Sequence, residues 1–178
     1  MADRKRRGLV VVLTGDGKGK TTAALGMALR AVGGGLRVAM VQFVKARETG
    51  EHRAAARLAP DLQIHRRGLG FVPRRGEGPV EKHRAAAREA LEFVRGLLSG
   101  GGHDMVIADE VLTAVGLGLV ATEDVLGLLE DRPAEVHLVL TGGGAPQSVV
   151  DRADLVTEMR LVKHPYQTGV EAQEGIEF

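Results

Sequence analysis

Apolar residues in this sequence are arranged in short continuous runs separated by stretches with helical spacing. The continuous runs are rich in β-branched residues, which is typical of strands buried on both faces of a parallel sheet. The last run alternates more between apolar and polar residues, which predicts a strand at the edge of the sheet. The predicted strands cover residues 8–13, 36–44, 62–68, 104–110, 135–143 and 154–162.

The stretches between these runs predict helices. In the longest of them, 80–98, Ala87, Leu91, Val94 and Leu98 fall on one face and charged residues on the other, as in an amphipathic helix. The predicted helices cover residues 21–35, 48–58, 80–98, 121–133 and 145–153.

Strands that alternate with helices predict an α/β fold with a mainly parallel sheet and helices on both faces. Ligands bind such folds beyond the carboxyl ends of the strands. The polar clusters of this sequence follow predicted strands, at 14–22, 42–48, 66–75, 109–110 and 141–144. The loop at 68–79, rich in Gly and Pro, is long enough to be a lid or a binding loop.

The length of 178 residues suits one compact domain. We expect that domain to cover residues 8–178, after a flexible basic N-terminus at 1–7. No apolar stretch approaches the roughly 20 residues that span a membrane, and no signal-type segment follows the N-terminus. We therefore expect a cytoplasmic protein with no membrane partner.

Composition narrows the chemistry further. The sequence has no cysteine, which excludes disulfides, thiolate metal sites and cysteine nucleophiles. A net charge of +1 and 3% aromatic residues give no reason to expect nucleic acid as a partner. The six histidines are scattered, without a metal-binding pair at i, i+4.

Residues 14–22, TGDGKGKTT, resemble a phosphate-binding loop whose spacing is one residue short. The usual pattern G-x-x-x-x-G-K-[ST] places its first glycine where Thr14 stands, and the nearest glycine is Gly15. A glycine-rich turn between a buried strand and a helix still directs backbone N–H groups and the helix dipole at an anion. Lys20 can reach phosphate oxygens, and the Thr21 hydroxyl can bind Mg²⁺. A tight turn that merely needs glycine explains this set of residues poorly.

Lys18 adds a second cation inside the loop. Phosphoryl transfer concentrates charge stabilisation on the terminal phosphoryl group, whereas two lysines in one loop suit an enzyme that holds a whole triphosphate as it departs. Asp109 and Glu110 end a predicted strand and supply the carboxylate oxygens that Mg²⁺ prefers. The alternative is that these two acids only cap the next helix.

Five segments together resemble the P-loop type of ATP:corrinoid adenosyltransferase, and the resemblance covers residues 8–178. The shortened loop and the C-terminal VKHxxxxGxxAQxGIxF are the most specific parts. The segments are GLVVVLTGDGKGKTTAALGMALRAVG, VAMVQFVK, DMVIADE, LVLTGGG and EMRLVKHPYQTGVEAQEGIEF.

The resemblance implies a RecA-like P-loop NTPase fold and an adenosyl transfer from ATP. The Co(I) of a corrinoid (cob(I)alamin, cobinamide or cobyrinic acid a,c-diamide) attacks C5′ of the ribose, and inorganic triphosphate leaves whole. ATP is held in the opposite sense to ordinary P-loop enzymes. Thr21 and Glu110 would bind Mg²⁺ with support from Asp109. The residues that would hold ATP are Gly15, Asp16, Gly17, Lys18, Gly19, Lys20, Thr21, Thr22 and Arg30, with Lys18 and Lys20 catalytic.

The resemblance also implies a catalytic role for Phe71, an aromatic that packs against the corrinoid and displaces its lower axial ligand, easing reduction of the cobalt. Many members read G-F-T-W here, whereas this chain has Gly70-Phe71-Val72-Pro73 and lacks the second aromatic. Many members also carry a longer, charged N-terminal helix, and because only seven residues precede Gly8 here, we do not expect such a covering helix. The family further implies a flavoprotein reductant and a homodimer.

Two other functions fit a phosphate loop on this fold. A small-molecule kinase or ATPase would need an arginine lid, for which the loop carries Arg66, Arg67, Arg74 and Arg75. A nucleotide-binding regulator would use phosphate binding to switch a surface. The fold alone does not decide among the three.

Overall fold

The computed structural model describes residues 7–72 and 80–177, and these form one six-stranded sheet with helices on both faces. The sheet order is β3-β2-β4-β5-β1-β6, and every neighbouring pair is parallel. All six predicted strands are confirmed, including the position of the last at an edge. The strands are β1 (Val10–Thr14), β2 (Val38–Gln42), β3 (Leu62–Arg66), β4 (Met105–Asp109), β5 (His137–Thr141) and β6 (Leu155–Glu158).

Helices connect consecutive strands, as the sequence predicts. Two helical segments were not predicted: α4, which only Glu110 separates from β4, and a 3₁₀ helix near the C-terminus. Among the described residues the helices are α1 (Lys20–Gly33), α2 (Gly50–Ala56), α3 (Val80–Ser99), α4 (Val111–Gly116), α5 (Thr122–Asp131), α6 (Gln147–Val150) and the 3₁₀ helix Pro165–Thr168.

The core forms two apolar layers, one on each face of the sheet. Val11 and Leu13 of β1 pack on one face with Ala24 and Ala28 of α1. Val12, between them, belongs to the other layer, with residues of α3, α4 and α5. Successive side chains of a strand point to opposite faces, so the continuous apolar run of β1 supplies both layers.

The sheet order brings the carboxyl ends of three chemically important strands to one edge. β5 lies between β1 and β4, and β2 pairs with the other side of β4. The phosphate loop after β1, the acids after β4 and the segment after β2 therefore meet around one place, as the strand-end rule predicts. No helix in the described ranges is long and apolar enough to cross a membrane.

Candidate functional site

The phosphate loop, residues 15–19, is held against the end of β6. Gly15 and Gly19 adopt φ values of 96° and 116°, in the left-handed region that favours glycine. A Cβ on Gly15 would lie 2.3 Å from the carbonyl oxygen of Met159, and the N–H of Gly17 donates to that same oxygen at 2.7 Å. The glycines of the loop are therefore required by backbone conformation and by close contact with the neighbouring strand.

The two side chains at either end of the loop have different partners. The Lys20 ammonium donates to the carbonyl oxygens of Gly15 and Gly17 at 2.8 and 2.7 Å, so its charge sits inside the curve of the loop. The Asp16 carboxylate accepts a hydrogen bond from the N–H of Leu161 at 3.2 Å. Lys20 thus stands where an anion would bind, while Asp16 ties the loop to the segment after β6.

A cavity of about 560 Å³ lies beside the loop, within the size range of ligand pockets. Its walls include residues 18–22, Lys45 and Glu51 from the stretch after β2 that runs into the first turn of α2, Glu110 after β4, and residues 175–177 near the C-terminus. Lysines and glutamates from four parts of the chain therefore converge on one space in front of the N-terminus of α1.

Asp109 is the buried centre of the site, with no exposed surface. Its Oδ1 accepts hydrogen bonds from the hydroxyls of Thr21 at 2.9 Å and Thr141 at 2.8 Å. Its Oδ2 accepts one from Nε2 of Gln42 at 3.3 Å. Burial raises the pKa of Asp109, and these hydrogen bonds oppose the rise by stabilising the carboxylate. The acid therefore joins the first turn of α1 to β2 and β5.

Glu110 has an unusual backbone conformation, and its side chain faces the cavity. Its φ of 63° is left-handed, and its N–H donates to the Thr141 hydroxyl at 2.8 Å. Its side chain lines the cavity. Burial raises its pKa, and repulsion from Asp109 raises it further, while Lys45 and Lys20 act in the opposite direction. A cation bound in the cavity would relieve both unfavourable effects.

The oxygen ligands at this place fit Mg²⁺. The Thr21 hydroxyl donates its proton to Asp109, which leaves its lone pairs free for a cation, and Glu110 adds a carboxylate. Across residues 7–72 and 80–177, no three His, Cys, Asp or Glu side chains converge on a metal geometry. Mg²⁺ commonly binds through one or two protein carboxylates together with substrate phosphates and water, and the Thr21 hydroxyl and the Glu110 carboxylate could supply the protein's share.

Two of the predicted site residues lie away from the cavity. Phe71 is 84% exposed, in the loop after β3. Arg30 is exposed in the last turn of α1, about 15 Å along the helix from Lys20 at 1.5 Å per residue. Neither belongs to the cavity wall as the described residues define it.

Two arginines of the predicted basic cluster after β3 make contacts within the fold. Arg66 donates to the carbonyl oxygen of Ala46 at 3.3 Å. The Arg67 guanidinium lies 4.0 Å from the centre of the Phe93 ring, a cation–π contact. Arg74 and Arg75 lie outside the described residues.

Several residues at the site were given no individual role from the sequence. Gln42 and Thr141 bind Asp109, and Lys45 lines the cavity. All three lie in the polar clusters 42–48 and 141–144 that follow predicted strands, so the sequence predicted their place at the site and not their contacts. Glu177 was not predicted either. Its carboxylate lies 3.9 Å from the Lys18 ammonium, and no local sequence pattern indicates a contact between such distant parts of the chain.

Comparison with known proteins gives matches along nearly the whole chain. The model of the family described as ATP:corrinoid adenosyltransferase BtuR/CobO/CobP matches residues 6–178. A corrinoid adenosyltransferase of Pseudomonas aeruginosa is 38% identical over 98% of this chain and 86% of its own length. One of Escherichia coli K12 is 36% identical over 97% and 86%. Corrinoid adenosyltransferase CobA of Salmonella typhimurium is 35% identical over 98% and 88%.

Two solved structures resemble the fold at low sequence identity. A KaiC-like protein of Pyrococcus horikoshii superposes with a TM-score of 0.60 and 18% identity over 89% of this chain and 75% of its own. The flagellar accessory protein FlaH of Methanocaldococcus jannaschii gives 0.57 and 11% over 86% and 71%. At this level of identity the likeness concerns the fold alone, and it agrees with the predicted α/β fold class.

Proposed function

The chain belongs to the ATP:corrinoid adenosyltransferase family BtuR/CobO/CobP, and on that premise we propose which of its residues carry out the transfer. Membership makes the chain a transferase that uses ATP and acts on corrinoids. The Co(I) of the corrinoid attacks C5′ of the ribose and forms a cobalt–carbon bond. The C5′–O5′ bond breaks, and its electron pair leaves with triphosphate.

The observation that carries this assignment is the pair of loop lysines at one cavity. Lys18 and Lys20 both line the space in front of the N-terminus of α1. Two cations and a helix dipole favour an anion whose charge increases as it leaves. Lys20 exchanges its bonds to loop carbonyls for phosphate oxygens, and Lys18 exchanges Glu177 for the same anion.

The backbone of residues 15–19 and the first turn of α1, including Thr21 and Thr22, supply the N–H groups that wrap the triphosphate. The Asp16 side chain orients this loop through its bond to Leu161. A contact between Arg30 and ATP requires the nucleoside to extend along α1.

Thr21 and Glu110 are the proposed Mg²⁺ ligands. Asp109 supports this site because its carboxylate accepts a hydrogen bond from the Thr21 hydroxyl at 2.9 Å and so fixes that hydroxyl. When bound, Mg²⁺ neutralises charge on the departing triphosphate. The protein residues hold the phosphate oxygens in place so that C5′ faces the corrinoid.

Phe71 is proposed to meet the corrinoid, since its exposed ring is available to another molecule. A flavoprotein reductant, a homodimer and a cytoplasmic location are proposals that follow from the family. So is the extent of a single adenosyltransferase domain over residues 8–178.

The test is a product assay with protein, Mg-ATP and chemically reduced cob(I)alamin. We expect the spectrum of the adenosylated corrinoid and one triphosphate per transfer. ADP or inorganic phosphate as the main product, without adenosylation, would refute the proposal and favour a kinase or ATPase.

A further inference from the structure

A third lysine lines the nucleotide cavity, from a part of the chain outside the phosphate loop. Lys45 follows β2, whose neighbour β4 ends at the buried acid of the site. Lys45 therefore faces the same space as Lys18, Lys20 and the proposed Mg²⁺ ligand Glu110.

Lys45 is held in place by a carboxylate from α2. Its ammonium lies 2.5 Å from Oε1 of Glu51. Burial alone would raise the pKa of Glu51, but the hydrogen bonds from Lys45 and Thr49 lower it to about 2. Glu51 therefore stays ionised at working pH. Because an ammonium has three donors, the pair with Glu51 leaves Lys45 able to donate to phosphate oxygens.

Glu51, which holds Lys45, belongs to a polar network that reaches Asp109 at the centre of the site. Gln42 Nε2 lies 3.4 Å from Glu51 Oε1 and 3.3 Å from Asp109 Oδ2. Its Oε1 contacts Nε2 of His52 at 2.8 Å, and the other ring nitrogen of His52 contacts the backbone N–H and hydroxyl of Thr49. The first turn of α2 is thereby fixed relative to β4, and Lys45 with it.

We propose that Lys45 binds the triphosphate of ATP and stabilises it as the leaving group, with Glu51 as its positioning residue. This inference rests on the proposed function. The phosphate loop then contacts the triphosphate through one set of donors, and Lys45 contacts it from the segment after β2. The site holds the leaving group with three lysines from two parts of the chain.

The experiment compares Lys45→Met, Lys45→Arg and the control Lys82→Met, a change at an exposed lysine of α3. Calorimetry with inorganic tripolyphosphate and Mg²⁺ measures binding, and the cob(I)alamin assay gives kcat and KM for ATP. We expect Lys45→Met to weaken tripolyphosphate binding and to lower kcat/KM about 10- to 100-fold, as for loss of a charge-assisted hydrogen bond. Lys45→Arg should recover much of both, and Lys82→Met should match the unaltered protein.

A double variant separates binding from mere structure. Lys45→Met leaves Glu51 without its cation, so a stability loss alone could lower activity. Lys45→Met with Glu51→Gln removes that unpaired carboxylate. If Lys45 only neutralises Glu51, the double variant regains stability, tripolyphosphate affinity and kcat together, and the proposal is overturned. If Lys45 binds triphosphate, stability returns and affinity does not.

Glu51→Gln alone tests the positioning role. We expect a fall in kcat larger than the rise in KM, because Lys45 remains present but is no longer fixed. Unchanged kcat would overturn that role.

Failure of the proposed function gives a different result from failure of this inference. An unaltered protein that forms ADP, combined with weak tripolyphosphate binding by Lys45→Met, would refute adenosyl transfer and support the phosphate contact. Adenosylation by the unaltered protein with normal binding by Lys45→Met would refute the inference alone.

Discussion

The Thr141 hydroxyl provides a sharp test of how the acids of the site are held. Thr141 is fully buried at the end of β5. Its hydroxyl donates to Asp109 at 2.8 Å and accepts the N–H of Glu110 at 2.8 Å. One group therefore orients both acids, and Thr141→Val removes it while nearly preserving the shape of the side chain.

The expected loss of stability follows from these two bonds. A hydrogen bond to a charged group contributes about 1.5–3 kcal/mol, and a buried N–H left without an acceptor costs about 1–3 kcal/mol. Thr141→Val should therefore lower the free energy of unfolding by about 3–5 kcal/mol. Thr141→Ser keeps the hydroxyl and loses one buried methyl group, at a cost of about 1 kcal/mol.

Urea unfolding of both variants measures this difference, and the cob(I)alamin assay at varied Mg²⁺ measures its effect on the site. Thr141 holds the backbone of the proposed ligand Glu110 and the Asp109 carboxylate that fixes Thr21. Thr141→Val should therefore raise the Mg²⁺ concentration for half-maximal rate about tenfold or more. If Thr141→Val proves as stable as Thr141→Ser and needs no more Mg²⁺, the reasoning is wrong.

Three other outcomes are expected. Lys18→Ala should reduce adenosyl transfer strongly while ATP still binds through Lys20. Parallel measurements of ATP binding and of triphosphate release check this, and an equal loss of binding and transfer would contradict it. Burial raises the pKa of Asp109 above its usual value of 3.8, so its charge costs nothing below that pH and destabilises the fold as pH rises through the raised pKa. In urea titrations without metal, Asp109→Asn should therefore gain stability relative to the unaltered protein as the pH rises from about 4, and a loss would refute the assignment. Phe71→Ala should leave the free energy of unfolding and the rate of transfer to chemically reduced cob(I)alamin nearly unchanged. It should slow transfer when the corrinoid is supplied as Co(II) with a reductase, and a variant that is as fast as the unaltered protein from Co(II) would oppose a role of Phe71 in reduction.

The sheet could be predicted from the sequence because buried parallel strands leave continuous apolar runs. β1 supplies both core layers, so all of its inner positions are apolar. The helix α4 was not predicted. Its sequence VLTAVG follows β4 after a single residue and is too short to show a helical period.

The site was predictable only where chemistry follows chain order. The phosphate loop and the acids after β4 have recognisable neighbours in the sequence. The contacts of Asp109 with Gln42 and Thr141 depend on strand order, and the contact of Lys18 with Glu177 joins residues from the two ends of the fold. No local spacing encodes such pairs, since they arise only when the sheet assembles.

The backbone at Glu110 has a consequence for engineering this protein. Among the described non-glycine residues it alone has a positive φ, which costs an L-residue about 1–2 kcal/mol. Glycine at position 110 would relieve that strain and remove a carboxylate that burial disfavours, so Glu110→Gly should stabilise the fold by about 1 kcal/mol. A selection for heat resistance alone would then discard the proposed metal ligand, and any such selection has to be coupled to formation of the cobalt–carbon bond.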